Sequence, residues 1–109
     1  MVDFDLLCAI LDSLPEPILV ADTDHITRYM NAAAKAYYKG GAALIGQSLL
    51  DCHNERSQAR MKEVLLALQA GADEQLISEK ENCRVYMRAV RNAAGQVVGY
   101  YERYEPPPK

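Results

Sequence analysis

Apolar residues at Leu7, Ile10, Leu11 and Leu14 fall at i, i+3, i+4 and i+7, the spacing of one helical face. Asp3 stands where an N-cap acceptor is useful, and Pro15 and Pro17 stop the helix. Ile18 to Ala21 is a short apolar run that predicts a strand. Asp22-Thr23-Asp24 is turn chemistry, because short acidic side chains accept bonds from nearby amides. His25 to Met30 is the return strand. Asn31 is a good N-cap for a helix over Ala32 to Tyr38, and Gly40-Gly41 breaks it. Leu44-Ile45-Gly46 and Leu49-Leu50 are apolar anchors on short helical turns.

The second half is more regular. Met61, Val64, Leu65 and Leu68 make one helical stripe, with Gly71 as its C-cap. Two strands follow, Glu74 to Lys80 and Cys83 to Arg91. In the second, Val85, Met87 and Ala89 share one face and Arg84, Tyr86 and Arg88 the other. Asn92-Ala93-Ala94-Gly95 is a hairpin loop, and Val97 to Tyr104 is the last strand. Pro106-Pro107-Pro108 cannot donate ladder bonds and ends the fold. Strands interrupted by a helical insert, then three strands in a row, predict an α+β domain with an antiparallel sheet and helices on one face.

Length and composition narrow the function. The chain has 109 residues, enough for one modest core, with 50% hydrophobic and 25% charged residues. The net charge of −3 and the lack of a Lys/Arg run argue against a nucleic-acid partner. No apolar stretch approaches the roughly 20 residues of a membrane span. Asp3 and Asp5 replace the basic start of a secretory signal. Three cysteines, Cys8, Cys52 and Cys83, without regular spacing, predict reduced thiols in a cytoplasmic protein. No CxxC, HExxH, GxSxG or P-loop pattern is present, and no acidic pair is set up for catalysis, so a non-enzyme is expected.

The run from Ala21 to Leu50 and the order of elements resemble the PAS domain, over about Leu11 to Tyr104. Gly46-Gln47-Ser48, Asp51-Cys52-His53-Asn54 and Ser57 are similar to a PAS subgroup with a Cys-His-Asn or Cys-His-Pro step before the long helix. Arg88 to Asn92, Gly95, Gly99 and Glu102 fit the same subgroup, which occurs in multidomain regulators and beside haemerythrin-like domains. The resemblance implies a five-stranded antiparallel sheet with helices on one face. It divides the chain into an N-terminal helix (1–14), a PAS core (15–105) and a Pro-rich tail (106–109). It implies a cytoplasmic sensory or regulatory module that binds a small ligand or partner and signals by a shape change. The Asp-x-Thr step that often ends the last PAS strand is replaced by Glu102-Arg103-Tyr104-Glu105.

Two rivals stand beside that reading: a haem-based gas or redox sensor, and a ligand-free interaction module. In the haem reading His53 is the axial ligand of the iron and Met87 the ligand opposite, with Ile45, Leu49, Leu65 and Val85 as apolar lining. The plain alternative makes Asn54 the helix cap, with His53 bonded to backbone carbonyls beside it, and Met87 core filler. Cys52, Cys83 and His53 supply three zinc ligands but no fourth. Cys52 near a helix start has the setting of a redox thiol, against the usual inertness of a structural cysteine. Asn82-Cys83-Arg84 has the letters of a flavin-adduct motif but follows the long helix instead of preceding it. The stripe Leu7, Ile10, Leu11 and Leu14 either covers its own core or pairs with a second copy. The small core favours a homodimer through this helix, with an effector domain or partner protein downstream.

Overall fold

The computed structural model describes residues 3–80 and 83–105. The elements are α1 (Phe4–Asp12), β1 (Leu19–Asp22), β2 (Thr27–Met30), α2 (Ala32–Tyr37), α3 (Glu55–Gln69), β3 (Glu74–Lys80), β4 (Cys83–Arg91) and β5 (Val97–Glu105). Short 3₁₀ turns at Gly41–Leu44 and Leu49–Cys52 join α2 to α3. The prolines expected to end the fold lie outside the described residues.

The strands form one antiparallel sheet in the order β2-β1-β5-β4-β3. The first and last strands therefore sit side by side at its centre. Gly99 makes that pairing work. It lies opposite Asp22, and a side chain there would run into the carbonyl oxygen of Ala21.

Local chemistry sets the element ends. Asp3 Oδ1 accepts the amide of Leu6 and starts α1 a turn before the apolar stripe. Asp22 Oδ1 accepts the amides of Asp24 and Ile26, and its other oxygen meets Arg28 Nε at 2.6 Å, so the β1–β2 turn is built as its residues suggest. Helix α3 closes on Ala70, with Gly71 just beyond it in a left-handed conformation (φ 123°). Arg91 from β4 reaches across to the carbonyls of Leu68 and Ala72, satisfying the open end of the helix.

The core lies between the inner face of the sheet and α2 and α3. Met61, Val64, Leu65 and Leu68 of α3 are buried, as their spacing predicts, against Leu19, Met30, Met87 and Tyr100. The outer face of the sheet is mixed, with Val20, Leu76, Tyr86, Val90 and Tyr101 among charged residues. There Glu74 accepts bonds from Arg88 (3.1 Å) and Arg103 (2.9 Å), and the Arg103 guanidinium lies 4.4 Å from the centre of the Tyr86 ring.

Helix α1 is packed differently. None of its residues is buried, and Phe4, Leu6, Leu7 and Ile10 are exposed, Phe4 by 75%. Polar contacts hold it instead. Tyr29 donates its hydroxyl to Asp12 Oδ1 (2.8 Å), which also accepts the Ala32 amide, and Asn31 Nδ2 donates to the Leu11 carbonyl.

Candidate functional site

A cavity of about 360 Å³ opens between the sheet and the helical insert, within the ~300–1,000 Å³ of ordinary small-molecule sites. Leu19, Leu44, Leu49, Ile77 and Val85 give it apolar walls. Tyr37 and Tyr38 enter from the end of α2 and Tyr104 from β5. These rings meet edge to face, with centroids 5.2 Å apart for Tyr37–Tyr38 and Tyr37–Tyr104 and 6.2 Å for Tyr38–Tyr104. Lys39, Cys52, His53, Ser78 and Cys83 complete the lining. A second cavity, about 390 Å³, lies under the start of α3 and shares His53, Ile77, Ser78 and Glu102 with the first.

Glu102 is the polar centre of this region. Strand β5 alternates, so Tyr100, Glu102 and Tyr104 point to the helices while Tyr101 and Arg103 point away. Glu102 is only 6% exposed, between Leu19 on β1 and Met87 on β4. Its Oε2 accepts hydroxyl bonds from Tyr38 (2.7 Å) and Tyr104 (3.2 Å). Burial pushes its carboxyl up to about 7, and the charge of His53 works in the opposite direction. Neither Lys nor Arg forms an ion pair with it among the described residues.

The structure brings three of the sequence-chosen residues, His53, Leu49 and Val85, to the wall of the first cavity. Met87 faces inward as its strand position predicts, but it is fully buried in the core and outside that lining. Leu65 packs in the core on α3, and Ile45 is 39% exposed; neither lines the cavity. The carbonyls expected to bind the imidazole are taken by another residue. Gln58 Nε2 donates to the carbonyls of Leu50 (2.8 Å) and His53 (2.9 Å), while Asn54 caps α3 through the Ser57 amide. That leaves the His53 side chain at the cavity mouth. Cys52 and Cys83 share the cavity with His53, yet no three His, Cys, Asp or Glu side chains converge as a metal site among the described residues. His53 is one imidazole beside a buried acid; no thioether lines the first cavity, while Met61 lines the second, which His53 shares.

Sequence reasoning gave no site role to Glu102, Tyr38 or Tyr104. The signal was present in β5, where a charged residue falls on the same alternate face as Tyr100. His25 was likewise read only as the start of the return strand. It is buried with φ 65°, and its Nδ1 lies 2.8 Å from the Tyr100 hydroxyl. Burial, first, and the charge of Lys62 lower its pKa and favour the neutral ring, whose Nδ1 shares a hydrogen bond with the Tyr100 hydroxyl.

A family model described as the PAS fold matches residues 11–106, and the chain belongs to that family. No curated protein matches the chain in sequence. Among solved structures, the C-terminal domain of a Streptococcus mutans protein is similar at 24% identity, with TM-score 0.77, over 96% of this chain and 85% of that one. A sensory box sensor histidine kinase from Vibrio cholerae aligns at 13% identity and TM-score 0.64, over 95% and 91%. The Vibrio cholerae Aer2 receptor, described as a dual PAS-heme oxygen sensor, aligns at 16% identity and TM-score 0.64, over 85% and 95%. At these identities the likeness is one of fold. No helix among the described residues is long and apolar enough to cross a membrane.

Proposed function

We propose that this chain is a sensory PAS module that binds a small organic ligand in the cavity between sheet and helices and works as a dimer through α1. The cavity carries the reading, because a buried, unpaired carboxyl in an apolar wall is costly to keep unless something uses it. Residues 15–105 form the ligand-binding core, with α1 appended. The Tyr38 hydroxyl ties α2 to β5 through Glu102, so a ligand at Glu102 bears on both elements. It shifts the module only as far as it binds one packing of α2 on β5 better than the other. The output runs through α1 or the end of β5 to a partner or effector domain. Sensory work of this kind is the general role of PAS domains, and no catalytic step is assigned.

The dimer rests on the exposed apolar face of α1, which nothing in its own chain covers among the described residues. Light scattering should find a dimer for wild type and a monomer for Leu7→Asp with Ile10→Asp. A wild type that stays monomeric at high concentration overturns the dimer.

The haem rival rests on His53 at the cavity mouth. Absorption spectra after addition of haem separate the two readings. Wild type and His53→Ala should take up haem equally and weakly. A sharp Soret band that vanishes in His53→Ala would establish the haem sensor instead.

A further inference from the structure

We propose that the ligand of this cavity is a small molecule carrying a protonated amine on an apolar body, with Glu102 Oε1 as the counter-charge. The inference rests on the ligand-binding reading above and adds the chemical class. Both tyrosine hydroxyls donate to Oε2, and Oε1 has no hydrogen-bond partner among the described residues. A residue with 94% of its surface covered thus keeps one oxygen unused, in the wall of both cavities. A carboxylate so placed is stabilised by a cation, and the protein supplies none as an ion-pair partner. The tyrosines fix the carboxyl from one side, so the open oxygen is aimed without reorganisation. Their rings touch one another and leave no room for a cation between them, but their π surfaces add a cation-friendly wall. The apolar side chains Leu19, Leu49, Ile77 and Val85 suit a hydrocarbon body. An anionic ligand would face the acid and a neutral one would leave it without a counter-charge.

The charged and titratable groups around Glu102 are Tyr37 and Tyr38 on the α2 side with Lys39 beyond them, Cys52 and His53 before α3, Arg56 and Arg60 on α3, Cys83 on β4, and Tyr100 and Tyr104 on β5. The basic residues weaken a cation's binding, and His53 lines both cavities beside Glu102, so its part must be separated from that of Glu102.

The probes are cyclohexylamine, cyclohexanol and cyclohexanecarboxylate, one body with three head groups, titrated into the whole chain and followed by amide chemical shifts at Tyr38, Glu102 and Tyr104. The amine should bind tightest. Its affinity should rise between about pH 5 and 8 as Glu102 ionises, since an alkylamine, like lysine near 10.4, stays charged throughout. Glu102→Gln should weaken the amine about tenfold or more, remove the pH dependence and leave the alcohol within about twofold. His53→Gln should keep the rise with pH. Binding of the alcohol or the carboxylate as tightly as the amine by wild type overturns the inference and leaves the ligand-binding reading standing. Binding of none of the three overturns both. The wild-type comparison decides the matter even if Glu102→Gln fails to fold.

Discussion

Asn31→Ala should destabilise the protein by on the order of 4 kcal/mol, several times the cost of an ordinary lost cap. Asn31 is completely buried and uses its whole amide. Oδ1 accepts the amides of Ile18 and Ala34, both at 2.9 Å. Nδ2 donates to the carbonyls of Leu11 (2.9 Å) and Glu16 (3.0 Å). One side chain thus joins the end of α1, the proline-bounded link, the start of β1 and the first turn of α2. Alanine leaves the amides of Ile18 and Ala34 and the carbonyl of Glu16 without this partner, while the Leu11 carbonyl keeps the Leu14 amide. Asn31→Asp keeps both acceptor contacts but sets an oxygen against two carbonyls, so it should lie between alanine and wild type. Urea denaturation gives the numbers, and a loss under about 1 kcal/mol for alanine would mean that water replaces the amide.

Glu102→Gln should be nearly as stable as wild type in mild acid and more stable by up to about 3 kcal/mol above neutral pH. Glutamine keeps the oxygen that Tyr38 and Tyr104 donate to and removes the charge. In the wild type the folded carboxyl holds its proton up to about 7, while the unfolded chain releases it near 4.5. Below that range both states are protonated, and the stability associated with the neutral acid is fully present. As pH rises from about 4.5 to 7 the unfolded state binds fewer protons than the folded one, and this stability drains away. Denaturation curves at both ends of the range test it. The same difference between wild type and variant at both would show that Glu102 is not protonated in the folded protein.

The fold was legible in the sequence to the level of elements and the order in which they come. The α3 stripe, the alternation of β4, and the caps at Asp3, Asn31 and Asn54 all act locally, within a turn or a strand, and short windows show them. What the sequence did not show were contacts between distant segments. The Asn31 cap was readable, but its Nδ2 bonds reach 15 and 20 residues back along the chain. Inward alternation placed Met87 correctly on its face. Only the register, with Met87 beside Glu102 and Val85 beside Tyr104, decides which of them meets a helix and which meets open space. The site was readable where residues sit next to the long helix, as His53 does. It was not legible at Glu102, because the burial of that acid comes from Leu19 on β1 and Met87 on β4, which only strand pairing brings beside it.

The strand order has a consequence for how the molecule comes into being. The central pairing joins Leu19–Asp22 to Gly99–Glu102, so nearly the whole chain separates the two strands that share the middle of the sheet. On a ribosome β1 and β2 emerge early as a two-stranded ribbon, which by itself is barely stable in water. They must wait, with the apolar face of Leu19, Ala21 and Met30 uncovered, until β5 has been made. By contrast, β3, β4 and β5 follow one another through short turns and can zip up as a meander as soon as they appear, with α3 beside them to cover their inner face. Local pairing therefore favours the C-terminal meander forming before the long-range β1–β5 pairing, the reverse of the order of synthesis. During that interval the open edge of β5 is the surface most in need of a chaperone, because any extended apolar strand can take the place reserved for β1.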